Sequence, residues 1–198
     1  MILAFDTETT GLPLWHEPSD HRDQPHLIQF AGVVLDDEGN EVDSLSTLVR
    51  PGPGAVMDEK AFEAHGITLV QALTGGCDPL EVLAWFGAQA ARATQLVGHN
   101  VSFDIRLMRI HAVRFTGVKW EAPCPSFCTM KRSQAIVNLP PTERMKAAGR
   151  WGPKPPKLSE CIKHFFGEEL EGAHDALVDV RASVRVYQHL TRKLGVAA

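Results

Sequence analysis

The order of apolar runs in this 198-residue chain implies a three-layer α/β fold, a mixed central β-sheet flanked by helices. Three observations carry that reading. The chain opens on Met1-Ile2-Leu3-Ala4-Phe5, apolar at every position, as a strand buried on both faces would be. The strand-like runs Leu27 to Leu35 and Glu41 to Val49 flank the turn signal Asp36-Asp37-Glu38-Gly39-Asn40, an antiparallel hairpin that extends the sheet from the first strand. Further along, helical patterns alternate with short apolar strands, giving the order β-β-β-α-β-α-β-α-α.

After the first strand come two carboxylates one residue apart, in Phe5-Asp6-Thr7-Glu8-Thr9-Thr10-Gly11-Leu12. Residues i and i+2 of a strand point to one side, so Asp6 and Glu8 project together and repel unless a cation lies between them. A hard divalent ion suits carboxylate oxygens best. Residues 13–25 hold three prolines with Trp15, His16, His21 and Arg22, and form a loop insertion beside that pair. Past the hairpin, Asp58 caps a short helix to about Ala64, a second short helix follows His65-Gly66-Ile67, and Pro79 opens an amphipathic helix through Leu80, Leu83, Phe86 and Ala90.

Gln95-Leu96-Val97-Gly98 is a short strand, and Ser102 is expected to cap a helix through about Val113. In that helix Phe103, Leu107 and Ile110 form the core face, with Asp104 in the first turn on another face. A strand near Phe127-Cys128-Thr129 precedes a helix to about Val137. Residues 139–156 are a second loop insertion, rich in proline and basic residues around Trp151; such composition suits a solvated loop or a grip on single-stranded nucleic acid. Lys157 to Phe166 is a helix closed by Gly167, and the last helix runs from near His174-Asp175 to about Leu190, with Leu177, Val180, Val184 and Tyr187 as its buried stripe.

Composition narrows the classes. Residues 1–198 suit one domain, and 44% hydrophobic with 22% charged residues is ordinary for a globular protein. The net charge of −4 argues against a general nucleic-acid coating protein but not against a nuclease, whose acids can be metal ligands. No apolar run approaches the ~20 residues of a membrane span and no signal pattern opens the chain, so the expected location is cytoplasmic, without membrane contact. Cys77, Cys124, Cys128 and Cys161 read as reduced thiols; Cys124 and Cys128 have a spacing zinc sites use, but no second pair completes one.

Four carboxylates, Asp6, Glu8, Asp104 and Asp179, thus stand at ends of elements, and His174 precedes Asp179 by five residues. Five helical residues rotate by about 140°, so His174 must sit on the loop before the helix to approach the same site. The motifs Phe5 to Leu12, His99-Asn100-Val101-Ser102-Phe103-Asp104 and Ala173-His174-Asp175-Ala176-Leu177-Val178-Asp179 resemble the three exonuclease motifs of the DnaQ-like superfamily, in its DEDDh branch. The chain is similar over nearly its whole length to the exonuclease domain of DNA polymerase III epsilon-like proteins, including Ala64-His65-Gly66-Ile67-Thr68 and Lys157-Leu158-Ser159-Glu160.

The resemblance implies a ribonuclease H-like fold and a two-metal, Mg²⁺ or Mn²⁺, hydrolysis of the 3′-terminal phosphodiester that releases nucleoside monophosphates from single-stranded DNA or RNA. By the same analogy, Asp6, Glu8 and Asp179 hold the ion that binds the attacking water, and Asp6 and Asp104 the ion at the leaving oxygen. His174 is the general base. Thr7, Thr9, Gly11 and Leu12 are carried over as contacts to the terminal nucleotide, with the leucine against its base, and His65, His99, Asn100 and Phe103 as lining of the same pocket. Two departures stand out. Cysteine replaces the family's usual acid before Thr129, and the chain ends soon after Leu190. The second points to a stand-alone exonuclease rather than a polymerase-bound proofreading subunit, with a homodimer left open; a hydrolase of short oligonucleotides is the enzymatic alternative.

Overall fold

The computed structural model describes residues 1–172 and 175–194, with the backbone alone at 193 and 194. Its central strand is β1 (Ile2–Thr9), whose residues Ile2 to Phe5 are all buried. On one side β2 (Leu27–Leu35) pairs with it antiparallel, and β3 (Glu41–Leu48) pairs antiparallel with β2. On the other side β4 (Gln95–Gly98) and β5 (Ser126–Cys128) continue the sheet in parallel. The strand order is β3-β2-β1-β4-β5, the mixed sheet expected.

The helices are α1 (Glu59–His65), α2 (Leu69–Gly75), α3 (Pro79–Arg92), α4 (Val101–Thr116), α5 (Thr129–Val137), α6 (Glu143–Ala147), α7 (Leu158–Phe166) and α8 (Ala176–Leu194). One sheet face carries Leu3, Phe5, Phe30 and Leu96, packed on Phe86 of α3 and Met108 of α4. The opposite face carries Ile2, Ala4, Val33 and Val97, packed on Ile162 of α7 and on Val180, Tyr187 and Leu190 of α8. Burial of each large apolar side chain contributes about 1.5–3 kcal/mol, so both layers stabilise the shared sheet.

The pleat of β1 sends its polar residues to opposite layers. Asp6 and Glu8 continue the Ile2 and Ala4 row toward α8, while Thr7 continues the Leu3 and Phe5 row toward α4. β4 pairs with β1 only from Ile2 to Ala4. Its last residue, Gly98, packs so closely that a Cβ there would stand 3.1 Å from the Phe5 carbonyl oxygen. Beyond that contact Asp6 to Thr9 pair with β2 alone, and a crevice opens at the carboxyl ends of two parallel strands, where ligands of α/β sheets bind.

Several expectations are corrected. Ser102 does not cap α4: the helix begins at Val101, with Asn100 before it at φ 71° and Ser102 already inside the first turn. Asparagine tolerates this left-handed backbone, so the chain turns directly off β4 without a side-chain cap. The final helix extends to Leu194 rather than Leu190. Segment 139–156 is not loop throughout, because Thr142 accepts a hydrogen bond from the Met145 amide and starts α6.

Segment 13–25 contains neither helix nor strand, yet it is firmly held. The Gln24 amide group, fully buried, accepts from the Leu14 N–H and donates to the Leu14 and Pro18 carbonyls. From α4, Arg114 donates to the carbonyls of Pro25 and Gln24, and Arg106 to Ser19 Oγ and the Glu17 carbonyl. All four cysteines are free thiols. No helix among the described residues is long and apolar enough to cross a membrane.

Candidate active site

The crevice gathers the acids. One oxygen each from Asp6, Glu8 and Asp179 lies within 4.8 Å of the others, the first two from β1 and the third from the first turn of α8. Asp175 starts that helix by accepting from the amides of Leu177 and Val178, which fixes where Asp179 projects. Asp104 approaches from the opposite face. It is 2% exposed and accepts a hydrogen bond from the Thr7 hydroxyl at 2.8 Å. The single residue between the two β1 acids therefore orients Asp104.

Electrostatics marks three of these acids, with Asp179 among the charges that act on them. Burial, followed by the charges of Asp104, Glu8 and Asp179, holds the Asp6 carboxyl well above the usual carboxylate range. Burial and the neighbouring acids, Asp179 first, push Glu8 up to about 8. Burial raises Asp104 to about 7, against the opposing pull of the Thr7 hydroxyl. A cluster of acids that cannot all ionise alone is completed by cations, and carboxylate oxygens suit hard divalent ions. The residues present fit such a group. Among the described residues this is the one set of three or more ligating side chains close enough to share an ion.

Two grooves flank the carboxylates. A cleft of about 490 Å³ runs from Glu8 past Thr9, Gly11, Leu12 and Phe103 to His65 on α1. Leu12 stands 79% exposed over it, an apolar side chain left in water. His65 is set by its own hydrogen bonds: the Ile67 amide donates to Nδ1 at 3.0 Å, so Nε2 carries the proton and donates to the Thr9 carbonyl at 3.1 Å. The Thr9 hydroxyl donates to the Gly11 carbonyl and tightens the turn beneath Leu12. Asp58 caps α1 through the Lys60 and Ala61 amides, and Lys60 lines the cleft, a cation that no sequence motif marks.

The second groove, about 440 Å³, lies on the other side of the acids, between Asp6, Asp179 and the Pro155-Pro156-Lys157 stretch. His99 lines this groove and not the Leu12 cleft. Its Nε2 donates to the Pro156 carbonyl at 3.0 Å. Burial lowers its pKa, so the ring is neutral and Nδ1 accepts from the Thr129 hydroxyl at 2.9 Å. His99 thus ties the end of β4 to the loop before α7. Asn100, in its left-handed turn, lines neither groove, and Thr7 faces Asp104. His174 lies outside the described residues.

Known proteins agree with this architecture. The RNase_T family model, described as Exonuclease, matches residues 3–187. A Mycobacterium tuberculosis (strain CDC 1551 / Oshkosh) protein, named for bifunctional exonuclease/endonuclease, is 24% identical over 194 residues, 98% of this chain and 27% of its own length. DNA polymerase III PolC-type of Thermotoga petrophila is 30% identical over 122 residues, 62% of this chain and 8% of that protein. Among solved structures, E. coli Exonuclease I in complex with an oligonucleotide superposes with a TM-score of 0.71 at 22% identity, covering 98% of this chain and 41% of that one. The chain therefore spans well under half of each relative, and the structural likeness bears on the fold. With the family model matched from β1 into α8, this chain belongs to the RNase_T exonuclease family.

Proposed function

We propose that this chain is a metal-dependent 3′→5′ exonuclease that removes nucleoside monophosphates from the ends of single-stranded nucleic acid, acting as one domain over residues 1–198 in the cytoplasm. The observation that carries the reading is the convergence of Asp6, Glu8 and Asp179 within 4.8 Å, with Asp104 held beside them by Thr7. Asp6, Glu8, Asp104 and Asp179 would hold two divalent ions, Mg²⁺ or Mn²⁺, which supply Lewis acidity and neutralise charge on the phosphate. The remaining work falls to the chain's own residues. The cleft beneath Leu12 takes the terminal nucleoside, with Leu12 and Phe103 offering apolar surface to its base. The β1 carboxylates then face the phosphate at the cleft's mouth. His174 is assigned to take a proton from water, on the resemblance of Ala173-His174-Asp175 to the DEDDh motif.

The Exonuclease I neighbour was solved with an oligonucleotide, which supports a DNA strand as substrate. The PolC-type relative favours a second reading, a proofreading module working beside a polymerase. A gel assay with 5′-labelled single-stranded DNA and RNA of one sequence tests the first. We expect a ladder shortening from the 3′ end with Mg²⁺ or Mn²⁺, absent with chelator and absent for Asp6→Asn. Cleavage that persists in chelator, or in Asp6→Asn, would overturn the reading. Strong preference for a primer–template mismatch over a free strand would favour proofreading, and a rate that collapses beyond a few nucleotides would favour an oligonucleotide hydrolase.

A further inference from the structure

Residues 144–157 carry five cations (Arg144, Lys146, Arg150, Lys154, Lys157) and no acid, in a chain whose net charge is −4. Lys146 pairs with Glu143 and Lys154 with Glu160. Arg144 and Arg150 form no ion pair among the described residues. Between the two paired lysines stands Trp151, 71% exposed, the most exposed of the aromatic side chains and one without a ring partner. Leaving so large an apolar ring in water forgoes roughly 2 kcal/mol of burial.

The segment that carries it is nevertheless pinned. The Gln134 amide donates to the Pro153 carbonyl, the Lys154 N–H to the Leu139 carbonyl, the Arg150 N–H to the Met145 carbonyl and His99 to the Pro156 carbonyl. A ring held out on an anchored loop is preorganised for contact, because little freedom is lost when something lands on it. Pro155, Pro156 and Lys157 of the same segment wall the groove that reaches Asp6 and Asp179. Trp151 lies four residues before that wall, at most about 14 Å of extended chain. A strand whose last nucleotide occupies the Leu12 cleft leaves the carboxylates on this side.

We propose that residues 150–157 form a second nucleic-acid subsite, in which Trp151 stacks on a base a few nucleotides upstream of the scissile phosphate and Arg150 neutralises the backbone beside it. The inference rests on the nuclease reading above. It assigns this surface to single-stranded nucleic acid, because unpaired cations around an exposed ring match a phosphate chain with accessible base faces. A duplex hides those faces, so the subsite also selects for single strands.

Two measurements test it together. The first is kcat/KM of the Mg²⁺ protein on thymidine 5′-monophosphate p-nitrophenyl ester and on an eight-nucleotide single strand. Trp151→Ala is expected to leave the small ester within twofold and to lower the eight-mer by about 5- to 150-fold, mostly through KM, the effect of one lost stack. Trp151→Phe should recover most of it. The second is anisotropy of a 5′-fluorescein eight-mer with Ca²⁺, which reads binding without turnover. Trp151→Ala should weaken binding by the same factor, and Arg150→Gln should reduce the salt slope by about 0.7. Active wild-type protein with an unchanged Trp151→Ala on the eight-mer overturns the subsite and leaves the nuclease reading standing. Equal losses on both substrates overturn it in favour of a structural role. Wild-type protein that binds through Trp151 but hydrolyses neither substrate keeps the subsite and overturns the nuclease reading. Failure of the wild type to bind the eight-mer overturns the subsite outright.

Discussion

Thr7 is the residue on which the two halves of the site meet. Asp6 and Glu8 were legible from sequence because a strand's period of two is local, and two acids across one residue share a side in any strand. The resemblance gives Thr7 between them as a substrate contact. Its hydroxyl instead crosses the crevice to Asp104, ninety-seven positions away, a contact that depends on how α4 lies against β1 and leaves no trace in either motif. A hydrogen bond to a charged group is worth about 1.5–3 kcal/mol, or roughly 10- to 150-fold in rate when the partner is a metal ligand. Thr7→Val keeps the side chain's shape and removes the donor. We expect kcat of Thr7→Val to fall within that range while Thr7→Ser stays near wild type, and a Thr7→Val protein with undiminished kcat would show that Asp104 needs no such support. His99 teaches a related lesson. The resemblance places it in the nucleotide cleft; it lines the other groove, where both ring nitrogens are committed to Thr129 and Pro156 and the side chain positions the loop it holds.

At the scale of elements, the strands, the two sheet layers, the cap at Asp58 and the helix start at Pro79 followed from hydrophobic period and turn chemistry, which are properties of neighbouring residues. What escaped was whatever distant side chains impose. Residues 13–25 have the composition of a loose flap, three prolines among polar residues. They are held because Gln24 is buried inside the loop and Arg106 and Arg114 reach its carbonyls from α4. Gln24→Leu would leave the Leu14 amide and the Leu14 and Pro18 carbonyls without their partner, at about 1–3 kcal/mol for each group that stays buried. The loop relieves that cost by opening locally rather than by unfolding the domain. Limited trypsin digestion should cut after Arg22 at least about tenfold faster in Gln24→Leu, with the rest of the chain resistant. Unchanged cleavage at Arg22 would mean that the two arginines suffice. α1 presents a simpler case. Asp58→Ala removes its cap, costs about 1 kcal/mol and loosens the helix that sets His65 against Thr9, so the melting temperature should fall by roughly 2–4 °C.

The whole molecule carries two sets of buried titratable groups that act on stability in opposite directions. Burial, with the charge of Arg114 second for His26, pushes His26 and His111 down to about 4 from 6.5. The unfolded chain therefore binds more protons between those values, and stability drops as pH falls through that window. Glu8 and Asp104 are pushed the other way, to about 8 and about 7 from 4.5 and 3.8. For them the folded state binds more protons, and stability drops as pH rises from about 4 toward 8. The two effects oppose each other below pH 6.5, and above it only the carboxylates remain. In chelator the melting temperature should therefore decline between pH 6.5 and 8. Divalent ions bind the deprotonated carboxylates and favour the folded state, so millimolar Mg²⁺ should abolish that decline and raise the melting temperature most at the alkaline end. Asp6→Asn removes one charge from the cluster, and it should flatten the decline in chelator while losing the response to Mg²⁺. Identical melting curves with and without Mg²⁺ at pH 8 would mean that the acids hold no ion. If instead Mg²⁺ stabilises wild type and leaves Asp6→Asn unmoved, the strain these carboxylates place on the metal-free fold is what metal binding releases.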